Sequence, residues 1–281
     1  MRSKISCHKS QVKRSMKNSE RPIGIFDSGL GGLTVFKSVR RLMPRENIIY
    51  FGDTARVPYG TKSKEAVIAF SKEITALLSD RGVKLIIVAC NTASSLALDE
   101  VRKISKVPVI GVIEPGARAA AAVTVNNRIL VTGTTATISS GAYRVALKKL
   151  KPGAKVYEKA CPLFVPLVEE GWCSKDLTEL VACEYLAPLK KKDFDTVILG
   201  CTHYPLLKKV IARVLGGGVK IVDSAAAAAS EAKTNLVSIK LLNASGSGGA
   251  RFIASDAPEK FKALALRLLG IKIGSVEVKR F

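Results

Sequence analysis

KLIIVACNTAS (Lys84–Ser94) and DTVILGCTHYP (Asp195–Pro205) share one plan: an apolar run, a cysteine, polar residues, then the start of a helical pattern. An apolar run without alternation reads as a strand buried on both faces, the habit of parallel sheets. Outward from these two stretches the same alternation continues. Strands are expected at Ile23–Asp27, Ile48–Gly52, Lys84–Cys90, Val107–Ile113, Arg128–Gly133, Lys155–Ala160, Thr196–Cys201, Lys220–Asp223 and Arg251–Ser255. Helical periodicity lies between them, as in Lys62–Asp80 with Ala66, Ile68, Ala69, Ile74, Leu77 and Leu78. Strands alternating with helices make βαβ units, so the fold class is α/β with mainly parallel sheets flanked by helices. Ligands of such sheets bind beyond the carboxyl ends of the strands. The repeated plan, once in each half of the chain, predicts two similar domains whose cysteines Cys90 and Cys201 meet across a shared cleft.

The chain of 281 residues carries 45 Lys and Arg against 23 Asp and Glu, a formal net charge of +22. Residues 1–21 hold seven of the basic residues and the single acid Glu20, so most of the excess lies in the body. Such a surface attracts anions, nucleic acid among them. With 6% aromatic residues and no basic run interleaved with stacking side chains, nucleic-acid binding is not the favoured reading. Residues 1–21 lack large apolar anchors and are expected to be a disordered basic extension. No stretch reaches the roughly 20 apolar residues of a membrane span, and no secretory h-region opens the chain. The expected location is cytoplasmic, without a membrane partner.

Six cysteines show no C-x-x-C pair and no zinc spacing, so reduced thiols and no metal site are expected. Cys90 and Cys201 stand apart because each follows a strand and precedes a helix, where free N–H groups and the helix dipole lower a thiol pKa from about 8.5. Cys7, Cys161, Cys173 and Cys183 lack that context and are assigned to the tail or to packing. Asn91, Thr92, Thr202 and His203 beside the two thiols supply donors suited to a carboxylate, although Asn91 and Thr92 could equally cap a helix. Asp27-Ser28-Gly29-Leu30-Gly31-Gly32 follows the first strand. It is not G-x-G-x-x-G, and an acid at the strand's mouth opposes phosphate, so Asp27 reads better as a group orienting a thiol. His203 is the one imidazole of the body, since His8 lies in the extension. Glu169, on the otherwise apolar Phe164–Glu169, is either a helix residue or a carboxylate standing behind the site. Thr134 and Thr137 in GTTAT (Gly133–Thr137) bring hydroxyls to a helix start, more than capping needs.

Taken together these residues resemble the glutamate racemases. The matching strings run in order from Pro22 onward: PIGIFDSGLGGL (Pro22–Leu33), VPYG (Val57–Gly60), VACNTAS (Val88–Ser94), GTTAT, PLFVPLVE (Pro162–Glu169) and GCTHYP (Gly200–Pro205). The resemblance implies two α/β domains with the site between them, a first domain of residues 22–115 plus 224–281, and a second of 116–223. It implies interconversion of L- and D-glutamate for peptidoglycan synthesis, without metal or pyridoxal phosphate, and a homodimer is the expected assembly. Cys90 and Cys201 match the catalytic thiols. Asp27 and Ser28, Tyr59 and Gly60, Asn91 and Thr92, Thr134 and Thr137, and Thr202 and His203 match substrate-contacting positions. Asp27 is expected to assist Cys90, with Glu169 and His203 assisting Cys201. The chemistry suits the residues independently: inverting an α-carbon needs one group to remove the proton and another to deliver one from the opposite face. Two readings compete, an aspartate racemase-like enzyme and a basic nucleotide- or nucleic-acid-binding protein. His203 after Cys-Thr and the VPYG string favour glutamate.

Overall fold

The computed structural model describes residues 17–281. Ten strands occur among them: β1 Ile23–Asp27, β2 Ile48–Gly52, β3 Leu85–Val88, β4 Val109–Gly111, β5 Arg128–Gly133, β6 Lys155–Ala160, β7 Thr196–Gly200, β8 Lys220–Asp223, β9 Ala250–Ala254 and β10 Val276–Val278. They form a six-stranded sheet, β10-β9-β2-β1-β3-β4, and a four-stranded sheet, β6-β5-β7-β8. Every ladder is parallel. The central strands β1, β2, β3 and β7 are buried along their whole length, which is why their sequences read as unbroken apolar runs. Helices cover both faces of each sheet, giving two separate cores per sheet.

The chain passes between the sheets twice. The helix Ile113–Val123 leads from β4 into the second sheet, and the helix Ser224–Ser238 returns from β8. The return helix buries Ala225, Ala228, Ala229 and Ala232, an i, i+3, i+4, i+7 stripe that packs on the first sheet's core. The break expected after Pro115 falls inside the first crossing helix. Ile113, Ala117 and Ala120 of that helix pack with Ile129, Val131 and Ile198 of the second sheet, so the change of domain precedes Ile113.

The strands differ from expectation mainly at their ends. β3 stops at Val88 because Cys90 already caps the helix Asn91–Leu96. β4 starts only after Pro108, which has no N–H for the ladder. β10 was not expected: three residues at a sheet edge leave no periodic signal. The expected disorder of residues 1–21 lies outside the described residues as far as residue 16, and it does not hold for the rest. Asn18–Glu20 form a short 3-10 turn. Arg21 donates from Nε to the Gly82 carbonyl (2.8 Å) and from Nη2 to that of Val83 (3.1 Å). Composition suggested a solvated tail, whereas backbone acceptors at the amino end of the first sheet hold these residues in place.

The anchor of that end is a buried ion pair. Lys84 Nζ lies 2.6 Å from Glu46 Oε2, with the side chains 1% and 0% exposed. Lys84 also donates to the carbonyls of Ser19 (2.5 Å) and Leu241 (2.9 Å), and Glu46 Oε1 accepts from Asn243 N (2.8 Å). Burial lowers the Lys84 pKa, and Glu46 opposes the shift. Removing one partner of such a pair strands the other charge, at about 3–5 kcal/mol. Lys84→Met should therefore lower stability to chemical denaturation by that amount, and Lys84→Met with Glu46→Leu should recover much of it. A single variant within about 1 kcal/mol of the parent would contradict this assignment.

Candidate active site

The carboxyl ends of the two sheets face each other, and one small cavity lies between them. The first sheet's strand ends supply Ser28, Tyr59, Gly60, Cys90, Asn91 and Thr92, and the second supplies Thr134, Cys201, Thr202 and His203. Asp27, Thr137 and Glu169 stand one layer behind. The cavity leaves ≈ 20 Å³ of room for water centres, enough for about one water. A larger groove of ≈ 520 Å³, between the helices Leu98–Ile104 and Ala142–Leu150, contains neither thiol. As the two domains stand here, the space at the strand mouths is too small for an amino acid.

Glycines in two turns of the first domain permit the close approach of the second. A Cβ on Gly31 would run into Thr202 Oγ1 and stand 2.7 Å from His203 Nδ1, and one on Gly60 would stand 2.8 Å from Thr134 Cβ. Asp27 Oδ2 accepts from Gly29 N (2.9 Å) and Oδ1 from Thr202 Oγ1 (3.3 Å), so the carboxylate takes donors that a phosphate-binding turn would offer. Thr34 Oγ1 adds a second bond across the cleft, to the Thr202 carbonyl (3.3 Å).

Cys90 and Cys201 are both free and nearly buried, as are Asp27 and His203. Cys90 Sγ lies 3.7 Å from Ser28 Oγ. The lowered pKa expected from its place at a helix start is not found. Burial pushes the Cys90 thiol up to about 12 and the Asp27 charge adds to this, while the Ala93 N–H and Ser28 offset only part. Burial likewise raises Asp27, against the pull of His203. Burial and the Asp27 charge thus both favour the neutral thiol at Cys90.

Cys201 has a different companion. Its Sγ is 3.8 Å from His203 Nδ1, and His203 Nε2 lies 3.3 Å from Glu169 Oε1, an ion-pair distance without a well-aligned hydrogen bond. Burial alone would lower His203, but its contacts with Cys201 and Glu169 and the charges of Cys201 and Asp27 outweigh it and push the imidazole up to about 10. His203 also pulls Glu169 down despite partial burial. Glu169 and His203 lie in line behind Cys201, whereas Asp27 bonds to Gly29 and Thr202 and its charge acts on both Cys90 and His203.

Thr92, Thr134 and Thr137 form a triangle of hydroxyls, with separations of 2.9, 3.0 and 3.3 Å, that bridges the two domains. Thr134 also caps its helix through Thr137 N. Asn91 accepts from Tyr143 Oη at Oδ1 (2.7 Å), while its buried Nδ2 has no partner among the described residues. Sequence reasoning missed Tyr143, which fixes the orientation of Asn91, and Asp53, which accepts from Tyr59 Oη. It also missed Val165, an apolar wall of the cavity. Nothing in their local sequence links Tyr143 to Asn91, 52 residues away. Cys161 is buried beside Tyr204, whereas Cys183, expected to pack, is exposed. No cluster of three or more His, Cys, Asp or Glu side chains suited to a metal occurs among the described residues, and no helix there is long and apolar enough to cross a membrane.

Comparison with known proteins adds a family. The model of the Asp/Glu/hydantoin racemases matches residues 23–232. Glutamate racemase of Geobacter metallireducens is 51% identical over 255 residues, covering 90% of this chain and 94% of the relative. A glutamate racemase isoform of Bacillus anthracis superposes with a TM-score of 0.91 at 40% identity, over 94% of this chain and 98% of that one. Francisella tularensis glutamate racemase, solved in complex with D-glutamate, gives 0.88 at 42% identity, over 93% and 98%.

Histidine titration tests the Cys201 side directly, because the chain has only two histidines, His8 and His203. Glu169→Gln removes a group that holds the proton on His203, so the ring pKa measured by NMR should fall from about 10 by roughly 1–3 units. An unchanged or raised value would contradict the contact.

Proposed function

The chain belongs to the Asp/Glu/hydantoin racemase family, and we propose that its cleft interconverts L- and D-glutamate by proton transfer at Cα between Cys90 and Cys201. The observation that carries this reading is the pairing of two thiols, each at the mouth of a central strand of its own sheet, on opposite walls of one cavity. The curated relatives that cover most of the chain at about half identity are glutamate racemases, which favours glutamate over aspartate.

In one direction a thiolate takes the Cα proton and the opposite thiol delivers its own to the other face of the carbanion. Net, one C–H bond breaks and one forms, and the two sulfurs exchange protonation states. No electron leaves the system, and the side chains carry both transfers without a cofactor. Cys90, whose burial favours the protonated thiol, fits the donor for conversion of L-glutamate. His203, itself protonated, can present Nδ1–H to a thiolate at Cys201. The substrate ammonium brings a positive charge near both sulfurs, which favours their ionised forms. The unpartnered Asn91 amide and the hydroxyls of Thr92, Thr134 and Thr137 suit the substrate carboxylates, with Ser28, Tyr59, Gly60 and Thr202 completing the walls. Donors fixed before the reaction stabilise the negative charge that grows as the proton leaves.

Since the closed cavity holds about one water, we take residues 22–112 with 224–281, and residues 113–223, as two bodies that open to admit glutamate and close on it. D-Glutamate is a building block of peptidoglycan, so the reaction serves cell-wall synthesis. The chemistry requires reduced thiols, which suits a reducing compartment such as the cytoplasm. Circular dichroism of L- or D-glutamate incubated with the protein should decay to zero without added metal or pyridoxal phosphate. Serine is nearly isosteric but far less acidic, so Cys90→Ser and Cys201→Ser should each slow racemisation by about 10³-fold or more. Stable optical rotation with the parent protein would refute the assignment.

A further inference from the structure

The two thiols are not supported alike. The groups that surround Cys90 (Asp27, the Ala93 N–H and Ser28) all come from the first domain. Those behind Cys201 are tied across the domain boundary. The helix Pro258–Leu269 packs on the first sheet's core through Phe261, Ala265 and Leu269. Its exposed Lys260 and Arg267, seven residues and two turns apart, share another face and line a crevice with Glu169 and Glu170 of the second domain. Arg267 Nη2 donates to the Glu169 carbonyl at 2.6 Å, at the carboxyl end of the helix Phe164–Glu169, where a cation is favoured. Room for the guanidinium exists because Gly171 has no side chain: a Cβ there would stand 3.1 Å from Arg267 Cζ, on a backbone already at φ +76°.

We propose that Arg267 and Lys260 are positioning residues for Cys201, a latch from the first domain that grips the Glu169 end of its helix on closure. Glu169 is thereby set on His203, and His203 on Cys201. The inference rests on the reading of the cleft as a two-thiol racemase site. The charged groups that meet this chain fit it, with the like charge of Glu170 as an opposing neighbour. Lys260 and His203 favour the Glu169 carboxylate and Glu170 lies beside it, while His203 in turn faces Cys201, Glu169 and Asp27. When the domains part, Glu169 loses Lys260 and Arg267, and His203 loses Asp27. The Cys201 half is thus completed by closure, whereas the Cys90 half depends on the opposite domain only through the Thr202 bond to Asp27.

The test is Arg267→Met, alone and with Lys260→Met. Both side chains are exposed, so melting temperature should barely move. Because the enantiomers are equally stable, kcat/KM must fall equally in both directions, and we expect about three- to tenfold, the weight of an exposed charge-assisted bond. The telling readout is the isotope effect with glutamate deuterated at Cα. A slower Cys201 transfer should raise the effect on kcat/KM from the enantiomer that Cys201 deprotonates, L-glutamate by the family resemblance, and lower it from the other. Arg267→Lys should restore most of the rate. Parent-like kinetics in Arg267→Met, isotope effects that move together for both enantiomers, or no recovery with Lys would each overturn the latch. Failure of the parent protein to racemise glutamate would instead remove the functional reading, and the latch with it.

Discussion

Thr202 Oγ1 meets Asp27 Oδ1 at 3.3 Å where the carboxyl ends of the two sheets touch, and the arrangement of the cleft follows from that contact. A carboxylate with no exposure to solvent needs donors, and Asp27 finds them in Gly29 of its own turn and in Thr202 of the opposite domain. The approach is possible because Gly31 carries no side chain against Thr202 and His203, and Gly60 none against Thr134. Two domains so joined leave between them a space for little more than one water, walled by two sulfurs. Parallel sheets gather loops and helix starts at one end, so two sheets placed end to end concentrate donors in that space.

The two halves of the cleft nonetheless use different physics. On the Cys90 side, burial and a neighbouring carboxylate favour the neutral thiol, a proton store. On the Cys201 side, Cys201 itself, then Glu169 and Asp27, favour the charged form of His203. Environment thus distinguishes two residues that are both cysteines at strand mouths.

Much of this was legible in the sequence because buried parallel strands read as plain apolar runs. Nine of the ten strands among the described residues fall where Lys84–Ser94, Asp195–Pro205 and their neighbours put them. Turn chemistry at the strand mouths brought the cavity-lining residues to notice before any geometry was known. What escaped has physical reasons. β10 is too short to show a period. Residues 17–21 look solvated by composition, yet their order comes from acceptors at Gly82 and Val83 and from the Lys84 side chain, which no local pattern reports. Tyr143 reaches Asn91 only through the packing of the second domain against the first. The thiol pKa was misjudged because a helix start is visible in sequence, while the burial that outweighs it is not.

The central claim is that each sulfur serves one face of the α-carbon, and hydrogen exchange at Cα in deuterated buffer tests it most directly. A variant with one cysteine changed to serine keeps a single competent thiol, able to remove and return a proton on its own side without completing inversion. Cys201→Ser should then wash deuterium into D-glutamate and leave L-glutamate untouched, and Cys90→Ser should do the reverse. Equal exchange of both enantiomers by both variants would contradict the opposed two-thiol account.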